Sequence, residues 1–199
     1  LFEGQVEGEG ELLFYFEKNG QTIYSFDPIH LDLVDVEEMY ETWTVGDVTP
    51  GGIATSVLPA SVAIQSTGLN LSTPDPTFSK ELDYILFVHG WNMTPFDKDW
   101  FADTAFKRLW HQGYKGRFGA FRWPTLHSFN FLLPWQSDHF DASEERAWNS
   151  AQPLADLLSS LSLVYRDVFG SRVKLYAHSM GNIVASESLR LLSSGAEVD

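Results

Sequence analysis

The sequence predicts an α/β fold on a parallel sheet, preceded by a small β-rich module. Three observations predict it. Apolar runs and helical stretches alternate from residue 82 onward, an Asn-Gly pair separates two β-forming runs near the start, and a Gly/Pro/Ser/Thr-rich stretch divides the two regions. At 44% hydrophobic and 20% charged over 199 residues, the chain has the balance of a globular protein, with enough length for a small module followed by part of a larger one.

The first element is a hairpin. Leu12-Leu13-Phe14-Tyr15-Phe16 and Thr22-Ile23-Tyr24-Ser25-Phe26 flank Lys18-Asn19-Gly20-Gln21, and Asn-Gly suits the tight hairpin turn whose two central residues both take positive φ. Residues 1–45 are therefore expected to form an all-β module. Residues 46–82, with Thr49-Pro50-Gly51-Gly52 and Ser72-Thr73-Pro74-Asp75-Pro76, carry little periodicity and read as a linker or irregular excursion.

Residues 83–199 read as strand, helix, strand, helix, strand, helix. Tyr84-Ile85-Leu86-Phe87-Val88 is a continuous apolar run, as in a strand covered on both faces, and it is expected to open the parallel set. Residues 97–112 place Phe101, Ala105, Leu109 and the tryptophans Trp100 and Trp110 near one helical stripe, closed by Gly113. Phe118-Gly119-Ala120-Phe121 is the second strand, stopped by Trp123-Pro124. Leu154, Leu157, Leu158, Leu161 and Val164 mark an amphipathic helix with Pro153 in its first turn or at a kink. Val173-Lys174-Leu175-Tyr176-Ala177 is the third strand, and residues 182–192 form the last helix. Strands alternating with helices in this way imply right-handed βαβ units.

Candidate chemistry lies between that last strand and helix. A serine hydroxyl becomes a nucleophile when it is exposed, relieved of its proton by a base, and faced by donors for the developing oxyanion. A strand-to-helix turn exposes it, and small residues two before and two after the serine allow the tight backbone. Ala177-His178-Ser179-Met180-Gly181 is such a turn, with Ala177 and Gly181 as the small residues, and the following helix directs free N–H groups toward the site.

This stretch resembles the nucleophile elbow of lipases and esterases, with Ala177 in place of the first glycine. His89-Gly90-Trp91-Asn92 is similar to the His-Gly oxyanion motif of α/β-hydrolases, about ninety residues earlier with one strand between. Together with Arg122-Trp123-Pro124, these motifs resemble an uncharacterised bacterial α/β-hydrolase family over the stretch from Tyr84 to Leu192. The resemblance implies a three-layer α/β-hydrolase fold in which Ser179 attacks an ester or thioester carbonyl. It further implies that the backbone N–H groups of Trp91 and Met180 form the oxyanion hole, with Ala177, His178, Gly181, His89 and Gly90 as support. The family's chain order is Ser, then acid, then His. No histidine follows Ser179, so the acid and the base are expected beyond Asp199, and the 199 residues alone, the N-terminal portion of the catalytic domain, are expected to be inactive or nearly so. Leu1 in place of Met also reads as a piece of a longer chain.

The resemblance gives a serine ester hydrolase acting on a small-molecule or lipid ester; the competing reading is a surface protein whose degenerate hydrolase-like domain only binds. Module, linker and hydrolase together suggest a large, extracytoplasmic bacterial protein. A formal net charge of -14 argues against a nucleic-acid partner. No apolar run reaches the roughly twenty residues needed to span a bilayer, and no signal peptide opens the chain. The absence of cysteine removes disulfides, a thiolate nucleophile and Cys-based metal sites. His127, Asp138, His139 and Asp141 fit no metal-ligand spacing and read as a solvated loop; no metal and no cofactor are expected. Glu37-Glu38 and Glu144-Glu145 read as solvated faces or a helix first turn. The aromatic residues of 121–135 read as core packing ahead of an acyl pocket.

Overall fold

The computed structural model describes residues 7–46, 64–67, 83–114, 116–127, 137–168 and 170–195. It divides into two units, Leu1–Met39 and Tyr40–Asp199.

The first unit is an antiparallel ribbon of two strand pairs. Strand β1 (Gly8–Leu12) pairs with β4 (Ile29–Leu33), and β2 (Tyr15–Lys18) with β3 (Gln21–Ser25). The expected hairpin is present: Asn19 and Gly20 take φ 52° and 75°, the positive values that Asn-Gly supplies at little strain. Opposed residues alternate in character. Leu12 faces Ile29 and Gly10 faces Leu31, whereas Glu11 faces His30, with which it makes a 3.2 Å ion pair when the ring is charged. A short 3₁₀ turn, Val36–Met39, follows.

Among the described residues the second unit is a five-stranded sheet with helices on both faces. Its strands are β5 (Glu41–Thr44), β6 (Ile64–Thr67), β7 (Tyr84–Val88), β8 (Arg117–Arg122) and β9 (Val173–Ala177), in the order β6-β5-β8-β7-β9. All but β6 run parallel; β6 pairs antiparallel with β5 at the edge. Two sequence expectations change here. Glu41–Thr44, assigned to the N-terminal module, pairs with β8 and precedes β7 in the parallel set. Residues 64–67, expected to be irregular linker, form β6, while residues 47–63 and 68–82 lie outside the described residues.

Helix α1 (Pro95–His111) lies on one face of the sheet, and α2 (Ser137–Asn149), α3 (Ala151–Ser162) and α4 (Gly181–Gly195) on the other. Alternation along β7 sets this. Tyr84, Leu86 and Val88 join Leu154, Leu158, Leu161, Met180 and Val184 in one core, while Phe87 packs with Phe118 and Phe101 on the α1 side. Burying each such side chain is worth about 1.5–3 kcal/mol before the entropy of ordering it.

Helix α1 starts two residues earlier than the apolar pattern indicates, because Thr94 caps it. Thr94 Oγ1 accepts from the Asp97 backbone N–H at 3.1 Å, the Asp97 carboxylate accepts from the Thr94 N–H at 2.9 Å, and Pro95 follows the cap. Its buried line is Lys98, Ala102 and Phe106. Phe101, Ala105 and Leu109 are half-buried flanks and Trp100 is exposed, so the predicted stripe is rotated from the true one. The charged Lys98 in the buried line hides it from a hydrophobicity pattern. Helix α3 runs into a π-helical turn, Leu163–Val168, with Pro153 buried in its first turn. Helix α2 replaces the expected solvated loop and includes His139 and Asp141, with Glu144 and Glu145 near its middle.

A buried polar group ties the first residues of the strands together. Tyr84 Oη donates to Glu41 Oε2 at 2.6 Å and accepts from Trp43 Nε1–H at 2.9 Å, and Arg117 pairs with Glu41 at 2.6 Å. Burial raises the Glu41 carboxyl, opposed by Tyr84 and Arg117.

Candidate functional site

The site lies at the other ends of these strands, where the carboxyl termini of parallel strands leave a crevice. Val88 is in register with Ala177, and the His178 N–H donates to the Val88 carbonyl at 2.9 Å, so the ladder between β7 and β9 continues into the turn. Ser179 follows at φ 51°, a left-handed conformation uncommon for a residue with a Cβ, and it is exposed. Its carbonyl accepts from the Asn182 N–H at 3.0 Å and from Asn182 Nδ2 at 2.9 Å. Helix α4 begins at Gly181 with three-residue hydrogen bonds from Gly181 to His178, from Asn182 to Ser179 and from Ile183 to Met180, while the Met180 side chain enters the core.

Two glycines make this approach possible by their lack of a side chain. A Cβ on Gly181 would stand 2.8 Å from the Val88 carbonyl oxygen and closer to that of His89. A Cβ on Gly90 would meet His178 Nδ1 at 2.8 Å and Ser179 Cβ at 3.0 Å. The turn after β7 and the turn after β9 therefore press on each other at backbone distance, which brings together Gly90, Trp91, His178, Ser179 and Gly181, residues singled out from sequence. Asn92, at φ 62°, gives the first turn a left-handed residue of its own.

His89 is buried and both its nitrogens are engaged. Nε2 accepts from the Trp123 N–H at 3.2 Å and Nδ1 lies 2.7 Å from the Gly90 carbonyl, an arrangement that assigns the proton to Nδ1. Trp123 Nε1 donates back to the His89 carbonyl at 2.8 Å, and the two rings stack with centroids 5.3 Å apart, 4° from parallel. Burial, followed by the Lys98 charge, holds the ring well below the ordinary histidine range. His89 thus braces the turn as a neutral ring. His178 is exposed and its ring lies 5.0 Å from that of Phe101.

Sequence reasoning missed several supporting residues. Trp91 Nε1 donates to Ser143 Oγ at 3.0 Å, and the same oxygen accepts from the Leu126 N–H at 3.0 Å, so a fully buried serine on α2 ties the segment after β7 to the segment after β8. Phe140 of α2 packs edge-on against Trp91. Lys98, 3% exposed, donates from Nζ to the Trp123 carbonyl at 2.9 Å, and burial lowers it to about 7. Asp99 pairs with Arg122 at 3.3 Å. Trp123 was the one member with a sequence signal, the Trp-Pro pair that stops a strand. Phe121 and Trp123 are core residues, whereas the remaining aromatic residues of the expected cluster, from Phe129 to Trp135, lie outside the described residues. Among the described residues no group of three or more His, Cys, Asp or Glu could hold a metal, and no helix is long and apolar enough to cross a membrane.

No curated protein and no solved structure matches the chain. A family model matches residues 77–199, the stretch that carries the turns after β7 and β9 and three of the sheet's five described strands, β7, β8 and β9. The chain belongs to that family, an alpha/beta hydrolase of unknown function (DUF900).

Proposed function

We propose that the domain is a serine hydrolase of carboxylic esters in which Ser179 is the nucleophile. The observation that carries this reading is the conformation of Ser179, exposed at φ 51° on a strand-to-helix turn that presses on Gly90. Left-handed backbone at a non-glycine residue is strain of about 1–3 kcal/mol, and such strain concentrates at active sites. In the proposed reaction Ser179 Oγ attacks the ester carbonyl carbon as a base takes its proton. The carbonyl oxygen, now negative, receives the N–H groups of Met180 and Trp91. Collapse expels the alcohol, which takes a proton from the same base, and water then releases the acid by the same sequence.

His89 is unsuited to be that base, because both its nitrogens are occupied within the fold. His178 adjoins the nucleophile and belongs to the turn's support. Labelling with a fluorophosphonate, followed by mass spectrometry, tests the proposal on the protein that carries this sequence in its natural context. Modification of Ser179, and its loss together with ester hydrolysis in Ser179→Ala, is the expected result. A folded protein that takes no label supports the competing reading, a binding domain.

A further inference from the structure

We propose that Lys98 is a positioning residue of this acyl-transfer site, holding through Trp123 and His89 the turn that presents the Trp91 N–H. The proposal rests on Ser179 being the nucleophile.

Lysine is almost never fully buried unless it is paired with an acid. Lys98 sits in the first turns of α1, in the buried line with Ala102 and Phe106, and its Nζ donates to the Trp123 carbonyl, 2.9 Å away. The charges around it are mostly of its own sign. Arg122 of β8 and Arg146 of α2 face it and disfavour its ammonium, while Asp99, which favours it, is shared with Arg122. A methionine in the same place would satisfy packing without placing a cation there. Fold stability alone therefore gives no reason for a lysine at this position.

The contacts beyond Trp123 supply a reason. Trp123 donates its backbone N–H to His89 Nε2 and its indole N–H to the His89 carbonyl. His89 Nδ1 then donates to the Gly90 carbonyl, and Gly90 lies against Ser179. This clamp closes only while His89 is neutral, because a protonated ring has no lone pair for the Trp123 N–H. The cations facing His89 are Lys98 from α1 and Arg122 from β8, and both disfavour its protonation. The buried ammonium thus does two things to one end: it fixes the Trp123 carbonyl and keeps His89 an acceptor.

The test compares the natural protein with Lys98→Met, which removes charge and hydrogen bond, and Lys98→Gln, which keeps a donor without charge. Two readouts are needed: the ring signals of His89 in NMR against pH, and the rate of fluorophosphonate labelling of Ser179 against pH. In both variants His89 is expected to titrate about one pH unit or more higher than in the parent, a tenfold or greater gain in proton affinity. Labelling is expected to fall about tenfold below that new midpoint and to approach the parent rate above it in Lys98→Gln. An unchanged His89 titration, or a labelling rate lowered equally at every pH, overturns the proposal. If Lys98→Met does not fold, Lys98→Gln alone decides it. A parent protein that never labels overturns the nucleophile reading instead, and the two failures are separate because the NMR readout needs no activity.

Discussion

Replacing Gly181 by alanine isolates the close approach of the two turns. An added Cβ would lie 2.8 Å from the Val88 carbonyl oxygen and nearer still to that of His89, whereas ordinary contact begins at 3.4 Å. Both obstacles are backbone atoms of β7 and its turn, so neither can swing aside as a side chain would. Helix α4 must move off the sheet by several tenths of an ångström, breaking register with a core that includes Met180 and Val184. Overpacking of a tight interior costs about 1–3 kcal/mol, and rigid obstacles place this case near the upper end. Better helix propensity for alanine returns less than about 1 kcal/mol. The net expectation is a loss of about 2–3 kcal/mol, or roughly 5–10 °C in Tm for a domain of this size. Thermal unfolding followed by near-ultraviolet circular dichroism, which reports the packed aromatic residues, measures it. Gly113→Ala is a useful comparison, since its Cβ would meet open space at φ 94° and only backbone strain of about 1 kcal/mol is expected there. A Gly181→Ala protein that melts with the parent would refute the close packing and, with it, the geometry of the site.

Other consequences follow from the buried polar groups. Lys98 is held near 7 in the fold against 10.5 when exposed, so the unfolded chain binds the extra proton between those values and stability rises with pH across that window. At about 1.4 kcal/mol per unit the rise totals on the order of 4–5 kcal/mol, and Lys98→Met should remove it; parallel stability–pH curves from chemical denaturation would contradict this. His89, held well below the ordinary range, has the same sign at lower pH: the fold loses stability as pH falls through about 6.5, and His89→Gln should flatten that limb in urea titrations. Tyr84→Phe removes the partner of Glu41 Oε2 and of the Trp43 indole N–H while leaving the Arg117–Glu41 pair, with an expected loss of about 1–3 kcal/mol in denaturant midpoint analysis. Ser179→Ala should leave the melting temperature within a few degrees of the parent while abolishing labelling, because Ala keeps the Cβ and removes only the hydroxyl.

The parts of this molecule legible in the sequence are those whose signal is contiguous. Tyr84–Val88 and Val173–Ala177 match the observed strands residue for residue: β7, interior in the sheet, concentrates apolar residues in one short run, and β9, at the end of the described strand order, alternates half-buried Val173, Leu175 and Ala177 with exposed Lys174 and Tyr176. The turn around Ser179 was readable because its chemistry and its small residues lie within five positions. β5 was misassigned because Glu41 and two threonines give no apolar run, and the partner that makes those residues a strand lies at Gly119–Arg122. Helix α2 escaped notice for a related reason. Its residues are largely polar, and what buries Ser143 and Arg146 is contact with elements far away in the chain. The Lys98–Trp123–His89 clamp draws on α1 and on the residues just past β8 and β7, and no spacing rule along the chain joins them.

The pairing pattern also orders the assembly of the molecule. In the first unit the chain reverses over Asn19-Gly20, and Lys18 meets Gln21 across the shortest of loops. In the second, Glu41 must find Gly119 and Tyr84 must find Val173, so large loops close before any ladder rewards them. Ser179 and Gly90 come to face each other only when β9 docks on β7. A chain emerging from the ribosome therefore carries its ribbon well before it carries a site, and partial loosening of β9 would erase the site while β5, β8 and β7 remain a sheet.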